Sequence, residues 1–142
     1  MFNKDIEKLN FIVENISNIE EIIKRHDGIV NALKDKVEAR PAILMAFLQI
    51  GETLNKLQNT YETLNIDDIK ESFENSSIFF FIKKTVPYYI NFLQDIRNEV
   101  VHGSIASKDE ANTLRNKILG VADDSILTDI LKYKKKILES RT

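Results

Sequence analysis

The sequence predicts an all-α protein, a single-domain up-and-down helical bundle, and three observations carry that prediction. Apolar residues recur at spacings of three and four over long segments, the period of a helix with one face buried. Only four Gly and two Pro punctuate the 142 residues, too few for the many tight turns of a β-rich chain. Strand-like alternation is scarce. The one segment of strand-like composition, Ile78 to Ile82, has no second strand of that character to pair with.

The first helix is expected from about Asn3 to Arg25, with Ile6, Leu9, Ile12, Val13, Ile16, Ile19, Ile22 and Ile23 forming a long apolar stripe. His26, Asp27 and Gly28 end it, Gly28 serving as the left-handed stop. His26 itself reads as a solvent-facing helix-end histidine with no acidic or nucleophilic neighbour at useful spacing. Ile29 to Leu33 reads as a short turn of helix. The second main helix begins near Asp35 or as late as Arg40, because Pro41 is tolerated only in a first turn, and it reaches about Thr60. Its buried face is Ile43, Leu44, Ala46, Phe47, Ile50, Leu54 and Leu57. Gly51 inside this helix costs about 1 kcal/mol relative to Ala, which a close helix crossing or a dimer contact would offset.

Asn65, followed by Asp67 and Asp68, reads as the start of a helix with Ile66, Ile69 and Phe73 inward. Ile78 to Ile82 then reads as a buried aromatic connector or dimer surface, with base stacking on its Phe residues as a second reading. A helix from Pro87 to His102 follows, terminated by Gly103, with Ile90, Leu93, Ile96, Val100 and Val101 on its apolar arc. Ser107 and Glu110 form a capping box for a short helix through Leu119. The last helix starts at Asp123 or Asp124 and runs from Ser125 to about Glu139, with Ile126, Leu127, Ile130, Leu131 and Ile137 inward. The run KYKKK at 132 to 136 is most simply its solvated face, and an RNA-backbone contact second.

Composition narrows the chemistry. The chain has no Cys, so it has neither disulfides nor Cys-ligated zinc, which fits a cytoplasmic location. Two His and no HExxH spacing lead to the expectation of no metal and no cofactor. The stretch MFNKDIEKLNFIVENI carries charges through its apolar positions, unlike a signal-peptide core. The longest apolar runs fall far short of the roughly 20 residues of a membrane span. A formal net charge of −2 argues against holding nucleic acid by bulk electrostatics, although a local cationic groove needs only a few placed side chains.

The one stretch that speaks about chemistry is Arg97 to Gly103, RNEVVHG. On a helix Asn98 and His102 lie one turn apart, with Arg97 adjacent, so a guanidinium, an amide and an imidazole gather at one helix end. Such a set suits RNA cleavage: the imidazole moves the 2′-hydroxyl proton and the guanidinium holds the phosphate. The bland alternative has Arg97 capping carbonyls or pairing with Asp95 or Glu99, and His102 as an ordinary helix-end histidine.

The spacing Arg97, Asn98, three residues, His102 resembles the signature of the HEPN superfamily. Pro87 ten residues before Arg97, Gly103 after His102, and the IGE at Ile50 to Glu52 resemble its HepT-like branch over about Ile6 to Ile105. The resemblance implies a homodimeric endoribonuclease toxin that needs no metal, with Arg97, Asn98 and His102 catalytic, RNA as substrate, and an MNT-type nucleotidyltransferase as antitoxin partner. Relatives commonly carry a Tyr two residues after the His, the acceptor when the partner adenylylates the toxin. Here that position is Ser104, the nearest hydroxyl for such a modification. Glu52 reads either as a surface charge or as a partner for Arg97 across packed helices. Two other classes stay open: a non-catalytic HepT-like partner and substrate of a nucleotidyltransferase, and a purely structural helical dimer.

Overall fold

Periodicity of three and four becomes helix wherever the chain is described. A computed structural model of the protein describes residues 3–60, 85–101, 108–119 and 125–139, and the six regular elements in them are all α-helices. They are α1 (Asn3–Arg25), α2 (Ile29–Lys34), α3 (Ala39–Thr60), α4 (Val86–Val101), α5 (Lys108–Leu119) and α6 (Ile126–Glu139). The expected helix start at Asn65, the aromatic segment 78–82, Ser107, Gly120 and the two Asp at 123 and 124 lie outside the described residues. Among the described residues no helix is long and apolar enough to cross a membrane.

α3 is the centre of the bundle. It turns back along α1 on one side and packs along α4 on another, while α2 contacts α1, α3 and α5, and α6 closes against α1 and α5. The core between them is built from Leu9, Ile12, Ile16 and Ile19 of α1, Ile43, Phe47, Ile50, Leu54 and Leu57 of α3, and Leu93 of α4. Burying each such side chain is worth about 1.5–3 kcal/mol against leaving it exposed, so the stripe on α1 and the stripe on α3 determine which helices meet. Leu44 is only half-buried at the edge of that face.

The helix ends show how the chain turns. Gly28 N–H donates to the Ile23 carbonyl at 2.9 Å, and His26 N–H and Asp27 N–H donate to Ile23 and Lys24 at 3.3 Å. This is a Schellman-type end in which the left-handed residue is Asp27, at φ 55°, and Gly28 follows at φ 128°. The left-handed stop expected at Gly28 thus falls one residue earlier, on an aspartate, a residue that tolerates this region better than most. Asp35 ends α2 and caps the approach to α3: Oδ1 accepts from the N–H groups of Val37 and Glu38, and Oδ2 from that of Ala39, all at 3.2 Å. Pro41 is the third residue of α3, where its missing N–H costs no helical bond.

Two details of the expected faces change. On α6 the inward set is Ile126, Ile130 and Tyr133, while Leu131 is 46% exposed, because it lies about 100° round the helix from Ile130. The KYKKK run therefore has its tyrosine in the core. Ser125 is the N-cap of α6: its Oγ accepts from Thr128 N–H at 3.1 Å and donates to Thr128 Oγ1 at 2.8 Å, and it is fully buried.

Candidate functional site

α4 reads VPYYINFLQDIRNEVV and carries the residues of interest near its C-terminal end. Val86, Tyr89, Leu93 and Val100 are buried, and Ile90, Phe92 and Ile96 pack partly against the core. That arc faces α3 and fixes the rotation of the helix. Arg97 is consequently left half-buried at the edge of the arc, and Asn98 lies fully outward beside it, with Asp95 and Glu99 also exposed. The expected position of Arg97 on the margin of the apolar face is the one observed.

Two polar contacts tie the first turn of α4 to the rest of the bundle. The buried Tyr89 hydroxyl donates to Asp129 Oδ2 of α6 at 2.5 Å. Lys117 Nζ of α5 stands 4.8 Å from the Tyr88 ring centroid, a cation–π contact on a half-exposed ring that also meets Tyr89 edge to face. With α3 along its side and these two anchors at its start, α4 is held against translation, and Arg97 two turns further on is held with it.

Glu52 is exposed on α3. Among the described residues, neither it nor Asp95 or Glu99 lies in ion-pair range of Arg97. Among the described residues, then, no carboxylate neutralises the guanidinium. His102, Gly103 and Ser104 lie outside the described residues; the described helix ends at Val101. Among the described residues no three His, Asp or Glu side chains gather closely enough to hold a metal ion.

A groove of about 410 Å³ runs between α1 and α3, edged by Asn15, Asn18, Arg25, Met45 and Gln49. No residue of α4 lines it, so it is a different surface from that of Arg97 and Asn98. Gly51 has nothing within 4 Å of the position its Cβ would occupy, so no close helix crossing explains the glycine among the described residues.

The sequence reading missed one constellation. His26 is neither simply solvent-facing nor without an acidic neighbour: Nε2 lies 3.1 Å from Asp35 Oδ2, and Nδ1 lies 2.9 Å from the Ile22 carbonyl oxygen. The signal that could have found it is the pattern Asp35, two residues, Glu38, a capping-box spacing, placed just after a helix of only six residues. So short a connector brings the end of α1 beside the start of α3.

Comparison of the chain with protein-family models, with curated proteins and with solved structures returns no match.

Proposed function

We propose that the protein is a HepT-like toxin of the HEPN superfamily, a homodimeric endoribonuclease that needs no metal and pairs with an MNT-type nucleotidyltransferase. The observation that carries this reading is the half-buried Arg97 beside the outward Asn98, on a helix locked by its buried arc, with no carboxylate of the described chain in ion-pair range. His102 follows four residues after Asn98 in the sequence. The motif spacing supplies the family reading, and the all-helical architecture among the described residues is compatible with it.

In the proposed reaction the imidazole of His102 takes the proton of a ribose 2′-hydroxyl. The 2′-oxygen attacks the adjacent phosphorus, the bond to the 5′-oxygen breaks, and that oxygen leaves with a proton from a protonated imidazole. The products are a 2′,3′-cyclic phosphate and a free 5′-hydroxyl. Arg97 holds the non-bridging oxygens, where negative charge grows in the transition state, and its planar fork suits two of them at once. Asn98 orients the imidazole or the phosphate. A two-fold dimer would place two copies of the motif together and build a local cationic groove on a chain of net charge −2.

That net charge, with a pI near 5.7, favours a second reading: a non-catalytic partner that docks a nucleotidyltransferase and is modified by it, with Ser104 as the hydroxyl nearest the position of the usual Tyr.

The deciding experiment is RNA cleavage in excess chelator by the native chain, Arg97→Ala and His102→Ala, resolved on a denaturing gel. We expect chelator-resistant cleavage by the native chain and a loss of about 10²–10⁴-fold on removing the imidazole. Loss of activity on chelation, or equal cleavage by His102→Ala, would overturn the assignment. If no variant cleaves any of several RNAs, the docking reading takes its place, and co-purification with a nucleotidyltransferase and mass measurement of the chain test that.

A further inference from the structure

We propose that His26 and Asp35 form a proton-operated latch that fastens the end of α1 to the start of α3. The argument begins with donors and acceptors. The Ile22 carbonyl oxygen, 2.9 Å from Nδ1, can only accept. Asp35 already accepts three backbone N–H groups on its two oxygens, which favours the ionised carboxylate, so its Oδ2, 3.1 Å from Nε2, accepts as well. Both ring nitrogens must therefore donate. A neutral imidazole carries one N–H and an imidazolium carries two, so the observed geometry is that of the charged ring.

Deprotonation leaves one nitrogen lone pair facing an oxygen lone pair, and one of the two contacts must open. The contact is between elements: Ile22 and His26 belong to the end of α1, and Asp35 organises the first amides leading into α3 at Val37, Glu38 and Ala39. Losing the proton thus uncouples the helix end from the cap. Among the described residues the charges that bear on the ring are Asp35 and Glu38, both from the segment leading into α3. On α1 itself the nearby cations are engaged, Lys24 with Glu20 and Arg25 with Glu21 at 3.2 Å each. α2 contributes only the exposed Lys34, and at the start of α3 Arg40 donates from Nε to the Leu33 carbonyl at 2.6 Å. Asp27, beside the ring in sequence, is exposed.

The electrostatics agree with the geometry. The hydrogen bond to the Ile22 carbonyl, then that to Asp35, raise the His26 pKa above its ordinary 6.5, against the opposing effect of burial. The N–H groups of Glu38 and Ala39 foremost, and His26 among the lesser contributors, lower that of Asp35 below its ordinary 3.8. A raised histidine pKa stabilises the fold fully below 6.5 and ceases to as pH rises through the raised value. A lowered aspartate pKa stabilises it above 3.8 and ceases to as pH falls through the lowered value. The latch is closed between the lowered Asp35 value and the raised His26 value, and it opens on the alkaline side as pH rises through the latter.

The test is a pH titration followed by NMR on the full chain, whose only other histidine is His102. At pH 6 both His26 ring nitrogens are expected to give protonated-type ¹⁵N shifts, with a midpoint above 6.5. The amides of Val37, Glu38 and Ala39 should titrate with that same midpoint, and His26→Gln should flatten their alkaline step. Asp35→Asn should lower the His26 midpoint. If that variant fails to fold for want of its cap, His26→Gln alone decides the matter. A His26 midpoint at or below 6.5, or amides at 37–39 that ignore it, overturns the latch.

Discussion

Replacing Tyr89 by Phe removes one oxygen from the first turn of α4 and leaves the ring that fills the core. Tyr89 is only 2% exposed, so the phenyl ring keeps its packing while the hydroxyl that donates to Asp129 at 2.5 Å is removed. A hydrogen bond to an ionised group contributes about 1.5–3 kcal/mol to stability. Asp129 is half-buried, so water recovers part of its solvation when the hydroxyl goes, which brings the expected cost to about 1–2 kcal/mol. For a chain of this size that is a fall in Tm of roughly 3–8 °C, with an unchanged urea m-value because the surface exposed on unfolding is the same. The cost belongs to the pair only if it disappears when Asp129 is also absent. A double-mutant cycle with Asp129→Ala, read by urea unfolding, should give a coupling energy of about 1 kcal/mol. A coupling near zero would refute the claim that this contact anchors α4, and with it the argument that Arg97 sits on a helix fixed at its start.

Two further substitutions test the helices around that anchor. Gly51→Ala should stabilise the protein by about 1 kcal/mol, because a Cβ there meets nothing within 4 Å and a helix-interior glycine gives up that much to alanine; thermal unfolding reads it, and a lower Tm, or a weaker dimer by sedimentation, would show that a second copy packs on the glycine. Ser125→Ala should cost about 1–2 kcal/mol in urea unfolding, since a fully buried N-cap oxygen is lost to Thr128 N–H; a change under about 0.5 kcal/mol would mean that the cap does not hold the start of α6.

The helices were legible because burial imposes a period that survives in one sequence. The stripe on α1, the stripe on α3 and the punctuation by Asp27, Gly28 and Pro41 locate three helix ends within a few residues of where they occur. Arg97 was legible for the same reason, since its place on α4 follows from counting around the helix from Leu93 and Val100. What the period does not carry is any relation between helices. Leu131 was expected inside because it is apolar, yet which side of α6 is inward depends on α1 and α5, and Tyr133 fills the place instead. The His26 pair was missed for a related reason: nine residues separate the partners, and only the reversal of the chain through a six-residue helix makes them neighbours.

That reversal bears on how the two polar clusters relate to one another. α3 touches both polar clusters, since Asp35 caps its approach and its long side receives α4. A change at the latch would reach Arg97 through α3 by moving that helix as a body, and the body is well held: Ile43, Phe47, Ile50, Leu54 and Leu57 are all essentially inaccessible along its length. Displacing so many packed side chains costs far more than one proton can supply. Opening of the latch should therefore stay local, fraying the end of α1 and the residues before α3 while α4 keeps its place. The proton and the Arg97 surface then act independently, so the cleavage proposed for Arg97 and His102 should retain its pH dependence in His26→Gln.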